Sequence, residues 1–91
     1  MVESMFTGAY EQLVEAVVAM RQRAGLTQRD LAEKLGREQS FIGRIETRQR
    51  RIDLVEFVWI ARACGEDPVA VVNEVAEKIA KAVPAKSVRK R

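Results

Sequence analysis

Two short helical stripes set almost end to end constrain this chain more than any other feature. Leu31, Ala32 and Leu35 fall on one face of a helix that opens at Thr27, and Phe41, Ile42 and Ile45 fall on one face of the next. Gly36 closes the first helix, and only Arg37 and Glu38 separate it from the second periodic run. Helices so short and so close cannot fold back antiparallel, so they must cross at a steep angle. Ala32 supports that crossing, because a small side chain on the inner face lets the second helix approach. Thr27 is a good N-cap, and Asp30 three residues on gives a capping-box-like start, with Asp in place of Glu or Gln.

The surrounding pattern is helical throughout. Tyr10, Leu13, Val14, Val17 and Met20 repeat at helical spacing, and Ala24-Gly25 ends that helix. Asp53 caps a fourth helix, with Glu56 at the capping-box position. Its expected buried face is Leu54, Phe57, Val58, Ile60, Ala61 and Cys64, and Gly65 with the Glu-Asp-Pro after it stops the helix. Residues 69–83 predict a fifth helix. Its Val71, Val72, Val75, Ile79, Ala82 and Val83 are more apolar groups than a lone surface helix carries. The expectation is an all-α, five-helix chain with one domain. Residues 1–9 read as a short arm, with Met5 and Phe6 as its anchor. Residues 10–68 are the domain proper, 69–83 a C-terminal helix and candidate dimerisation element, and 84–91 a basic tail expected to be disordered.

The 16 Lys+Arg against 13 Asp+Glu leave a net charge of only +3, so its placement says more than its size. Residues 44–51 hold four arginines and one glutamate, directly at the end of the third helix. The exposed face of that helix carries Glu38, Gln39, Ser40, Gly43 and Arg44. Gln39 can pair bidentately with adenine, Arg44 can pair with guanine, and Ser40 can bond a base edge or a phosphate. Gly43 lets a groove wall come close, at a helix cost of about 1 kcal/mol relative to Ala; the alternative is plain solvent exposure. Arg48, Arg50 and Arg51 are placed to bind phosphate and set register without reading sequence. Gln28 opens the second helix, where its amide and the backbone N–H groups can meet a phosphate. This order suits one helix laid in the major groove of DNA with the flanking phosphates pinned by cations.

Leu26-Thr27-Gln28, Leu31-Ala32, Leu35-Gly36, Gln39-Ser40, Ile42, Ile45-Glu46 and Ile60-Ala61 together resemble the lambda-repressor/Cro-like helix-turn-helix family. This is also called the xenobiotic-response-element family of bacterial and phage transcriptional regulators. The resemblance spans about Tyr10 to Pro68. It implies a five-helix lambda-repressor-like DNA-binding domain, usually a dimer on a palindromic operator. Residue by residue, it implies that Gln28 contacts a phosphate and that Gln39, Ser40, Gly43 and Arg44 face the groove. It also implies that Arg21 pairs with Glu46 to orient the reading helix. Two features depart from the pattern. Many relatives carry glycine two positions after the glutamate, where the chain turns, and here that residue is Arg48. Either a left-handed arginine is accepted at roughly 1 kcal/mol, or the turn is built differently. The basic tail after Pro84 is outside the shared motif.

Other chemistries find little support. Histidine is absent, which removes the commonest metal ligand and the usual neutral-pH acid–base group. Cys64 is the only cysteine, so it forms no intrachain disulfide and reads as a small core hydrophobe. No glycine-rich phosphate loop, metal-ligand cluster or nucleophile beside a base is visible, so no enzyme, cofactor or metal is expected. No run of about 18 apolar residues predicts a membrane span, and no signal peptide is evident. The expectation is a cytoplasmic, nucleoid-associated protein of bacterial or phage origin. Trp59 is read as the edge of the core in preference to a dimer contact; Val72, Val75 and Ile79 are the other candidate dimer contacts. Glu74–Lys78 and Glu77–Lys81 read as ordinary four-apart surface pairs.

The sequence thus predicts a sequence-specific double-stranded DNA-binding transcriptional regulator, a homodimeric repressor that works by operator occupancy. One alternative is an antitoxin-like module that grips a protein partner through its C-terminal helix, with DNA binding secondary. The other is an architectural DNA-binding protein of low specificity.

Overall fold

The structure is a computed structural model that describes residues 2–82, with side chains from residue 8 onward. Five helices follow one another: α1 Val2–Arg23, α2 Gln28–Lys34, α3 Gln39–Glu46, α4 Leu54–Ala63 and α5 Pro68–Ala82. No strand occurs among the described residues. The capping residues explain the boundaries. The Thr27 hydroxyl accepts from the Asp30 N–H while the Asp30 carboxylate accepts from the Thr27 N–H. Asp53 and Glu56 form the same reciprocal box at the start of α4. Pro68 takes the first position of α5, where a missing N–H costs nothing, and the Asp67 carboxylate accepts from the Val69 N–H.

One buried cluster joins all five helices. Val17 and Met20 of α1, Leu31 and Ala32 of α2, Phe41, Ile42 and Ile45 of α3, Phe57, Ile60 and Ala61 of α4, and Val71 of α5 belong to it. α2 packs closely on α3 across the fully buried Ala32, and α1 runs along α5 over the most extensive helix–helix contact in the domain. Cys64 is buried at the edge of this core, and desolvation pushes its thiol above the ordinary range.

The structure corrects five expectations. Residues 2–9 are not an arm but the first turns of α1. They hold no proline, and a single glycine costs only about 1 kcal/mol in a helix, too little to interrupt a 22-residue run. The anchoring side chains expected of Met5 and Phe6, together with Val83 and the tail 84–91, lie outside the described side chains. Leu54 and Val58 are exposed, because the inner face of α4 is centred on Phe57, Ile60 and Ala61 and turns both outward. Trp59 is 49% exposed, so it is not core. Val75 is 5% exposed and packs inside its own domain, which removes it from the candidate dimer contacts; Val72 remains exposed and Ile79 half-buried. The ion pairs among the described residues do not include Glu74–Lys78 or Glu77–Lys81.

Four helices end in one geometry. After α1, α2 and α4 the chain enters a left-handed residue at Gly25, Gly36 and Gly65, and after α3 it does so at Arg48, φ 64°. In each case the left-handed N–H and the next N–H fold back onto the last turn, as Arg48 N to Ile45 O and Gln49 N to Arg44 O show. Arg48 therefore occupies a position that the other three ends give to glycine. The left-handed conformation costs a non-glycine residue roughly 1–2 kcal/mol, partly offset because glycine gives the unfolded chain about 0.4–1 kcal/mol more entropy to lose. Arg48→Gly should stabilise the domain, raising the melting temperature by a few degrees; thermal denaturation followed by circular dichroism reads the shift.

Candidate nucleic-acid interface

The outer face of α3 is set by its inner one. Phe41, Ile42 and Ile45 are buried, so the helical repeat turns Gln39, Ser40 and Arg44 to solvent, with Gly43 partly covered between them. These are the four residues the sequence assigns to base reading, and they share one face. Arg44 is in no ion pair among the described residues, so its guanidinium is available.

A chain of hydrogen bonds fixes this face from behind. Arg21 on α1 donates through Nε to Glu46 Oε2 at 2.7 Å and through Nη2 to Oε1 at 3.0 Å. Its Nη1 donates to the Leu26 carbonyl at 2.9 Å. Gln28 Nε2 then donates to Glu46 Oε1 at 2.8 Å, and Gln39 Nε2 donates to Gln28 Oε1 at 3.1 Å. The polarity of the chain follows from its buried end. An ionised carboxylate only accepts, so Gln28 must turn its nitrogen inward and its oxygen toward Gln39, which must donate. Gln39 keeps Oε1 and its second N–H free, the acceptor–donor pair that an adenine edge requires. The Glu46 carboxylate raises the Arg21 guanidinium further above its already high range, first through the hydrogen bonds and then through charge.

Gln28 is thus engaged at both ends of its amide. What it leaves for a phosphate is its second Nε2 hydrogen and its own backbone N–H in the unsatisfied first turn of α2. Arg29 lies beside it, exposed, and with Arg21, Thr27, Gln28 and Gln39 it lines a shallow depression between the starts of α2 and α3. The sequence reading missed Arg29. The available signal was its sign, since a cation in the first turn opposes the helix dipole and gains nothing there from the helix itself. At Gly43, an added Cβ would meet only Gln28 Oε1 at 3.5 Å, an ordinary contact. Nothing inside the folded domain demands glycine there.

The three arginines of the following loop meet different fates. Arg50, expected to bind phosphate, is turned inward: Nη1 and Nη2 donate to the Glu56 carboxylate at 2.9 and 2.7 Å, and Nη1 also donates to the Arg51 carbonyl. Its guanidinium, like that of Arg37, lies over the Phe41 ring. Glu56 is buried yet fully partnered, since it also closes the Asp53 capping box. Arg51 stacks on Tyr10, whose hydroxyl accepts from the Ile52 N–H at 3.0 Å, and its donors face out. Arg48 pairs loosely with Glu11 at 3.6 Å, with both groups substantially exposed, a contact a phosphate can replace. Arg48 and Arg51 are therefore exposed, while Arg50 is a structural tie between the loop and α4.

Two outcomes follow. Arg50→Ala should lower the melting temperature by several degrees, because it leaves the buried Glu56 carboxylate short of a partner, whereas Arg51→Ala should shift it little; paired thermal melts decide this. The hydrogen bonds from Arg50 hold the Glu56 carboxyl below the usual carboxylate range, with the Asp53 N–H helping. Its stabilising effect is complete above the unfolded value of about 4.3 and is lost as pH falls through the lower folded value. Melting temperature should thus drop on acidification below about pH 4, and Glu56→Gln should be less stable at pH 7 but less sensitive to acid.

Comparison with known proteins agrees with this geometry. Residues 12–75 match the family model of the helix-turn-helix domain. Among solved structures, the chain is similar to an XRE-family like protein from Pseudomonas syringae pv. tomato str. DC3000. The two are 34% identical with a TM-score of 0.78, over 85% of this chain and 94% of that one. No curated protein matches the chain. The crossed α2–α3 pair, the polar outer face of α3 and these two matches place the chain in the lambda-repressor/Cro-like helix-turn-helix family, as a DNA-binding regulator.

Proposed function

We propose that the protein is a sequence-specific reader of duplex DNA that binds a palindromic operator as a homodimer and represses by occupying it. The observation that carries this reading is the pre-set amide of Gln39, which the Arg21–Glu46–Gln28 chain holds with one acceptor and one donor facing out. A side chain already held in its bound orientation loses less freedom on binding, and that favours a base contact over a solvent-facing role. Arg44 supplies a guanine-type contact one turn along and Ser40 a third polar group, while Gly43 opens the approach between them. Gln28, Arg29, Arg48 and Arg51 frame α3 as phosphate contacts.

Selection from a random duplex pool at about physiological salt, where nonspecific binding is weak, should enrich a palindrome with half-sites about one helical turn apart. On that site Arg44→Ala should cost roughly 1–3 kcal/mol and relax preference at one base position, and Arg51→Ala should weaken all sequences alike. Gly43→Ala should separate folding from binding: the free protein gains up to about 1 kcal/mol of helix stability, while affinity for the selected site falls. Equal losses from Arg44→Ala on selected and random duplexes contradict base reading. Absence of any enriched sequence favours the architectural alternative.

A further inference from the structure

We propose that the outer face of α4 is the docking surface for a second copy of this chain, with the two α4 helices crossing antiparallel about Val58. The inference rests on the homodimer reading above and adds the surface that makes it. The large hydrophobic side chains left exposed among the described residues are confined to α4 and α5: Leu54, Val55, Val58 and Trp59 on the first, Val69 and Val72 on the second. Leu54 is 72% and Val55 55% exposed. Patches of this kind are uncommon on a monomer unless something covers them.

Apolar size separates the two helices. α5 turns Val71 and Val75 into its own domain, and its exposed uncharged stripe carries two large hydrophobic side chains, Val69 and Val72, beside Ala76 and Ala80, against Leu54, Val55, Val58 and Trp59 on α4. The outer stripe of α4, residues 54, 55, 58, 59 and 62, carries one charge, Arg62, at its C-terminal end. An uncharged apolar centre with charge at the rim is the composition of a contact surface.

Symmetry names the occupant. In a two-fold contact the same patch meets itself, so positions related by the axis face one another. With the axis at Val58, Val58 meets its own copy, Val55 and Trp59 flank that crossing, and the Asp53–Leu54 end meets Arg62. Arg62 is exposed and in no ion pair among the described residues, and this register brings it an exposed acid at both ends of the contact. A parallel register would set Arg62 against Arg62. The antiparallel one also lays each helix N-terminus beside the other's C-terminus, as their dipoles prefer. Beside Leu54 a groove lined by Leu13, Ile52, Asp53, Leu54, Phe57 and Val72 extends the apolar surface at that end of α4. A partner of unrelated sequence would not require Arg62 to match this chain's own Asp53.

The test is sedimentation equilibrium of the full chain as wild type, Val58→Asp, Val55→Lys and, on the rival face of α5, Ile79→Lys, with helix content checked by circular dichroism. The wild type should pair. Both α4 substitutions should weaken pairing by about tenfold or more with helix content kept, and Ile79→Lys should leave it unchanged. Val58→Cys, a change of similar size that holds if Val58→Asp loses helix, should give a disulfide-linked pair on mild oxidation; the wild type, with Cys64 buried, should not. A wild-type pair that survives both α4 substitutions, or that only Ile79→Lys breaks, overturns this surface and leaves the homodimer reading standing. A wild type that is monomeric both free and on its selected duplex overturns both. A stoichiometric foreign protein held at α4 and released by Val58→Asp assigns the face to a different partner and overturns the proposal.

Discussion

Glu46 holds α3 in place. Its side chain is 7% exposed, and Arg21 and Gln28 give its two oxygens three hydrogen bonds. A carboxylate this buried tolerates no loose partner, since an unpaired charge there would be strongly destabilising. Arg21 comes from α1, Gln28 from α2 and Glu46 from the last turn of α3, so one group ties three helices at the point where α3 must be aimed. The nonpolar core fixes how closely α3 packs, and this pair and its neighbours fix its rotation. The direction of every outward hydrogen bond follows from the single fact that a carboxylate cannot donate.

A second buried carboxylate, Glu56, does the corresponding work on the far side of α3. It caps α4 and holds Arg50, and Arg50 lies over Phe41 of α3. The basic loop is therefore not a free run of cations. One arginine is locked, one is stacked on Tyr10 with its donors outward, and one sits left-handed against an exposed glutamate. Graded engagement of this kind limits how far the loop can move and leaves Arg48 and Arg51 exposed on it.

Much of this was legible in the chain. The stripes Leu31-Ala32-Leu35 and Phe41-Ile42-Ile45 located the crossed helices, because burial at helical spacing is a local property. The Thr27–Asp30 and Asp53–Glu56 boxes located two helix starts, because capping is local too. The Arg21–Glu46 pair came only from the resemblance; a contact 25 residues apart has no spacing signature. Arg50 was misplaced for the same reason: nothing local tells a locked arginine from its neighbour Arg51. Leu54 and Val58 were assigned to the core because an apolar residue on an amphipathic helix reads as buried whether its own domain or another surface covers it. The start of α1 was set too late because the apolar repeat was read from Tyr10 onward, although nothing in residues 2–9 stops a helix.

The most direct measurement is an NMR titration of the protein with a mixed-sequence duplex at low salt, following backbone and side-chain amide signals. The account predicts that Gln28, Arg29, Gln39, Ser40, Gly43, Arg44, Arg48 and Arg51 respond most strongly, the Gln39 side-chain amide among them, while Arg50 and the inner core stay nearly still. Responses confined to α4 and α5, with the signals of α3 unmoved, would contradict it.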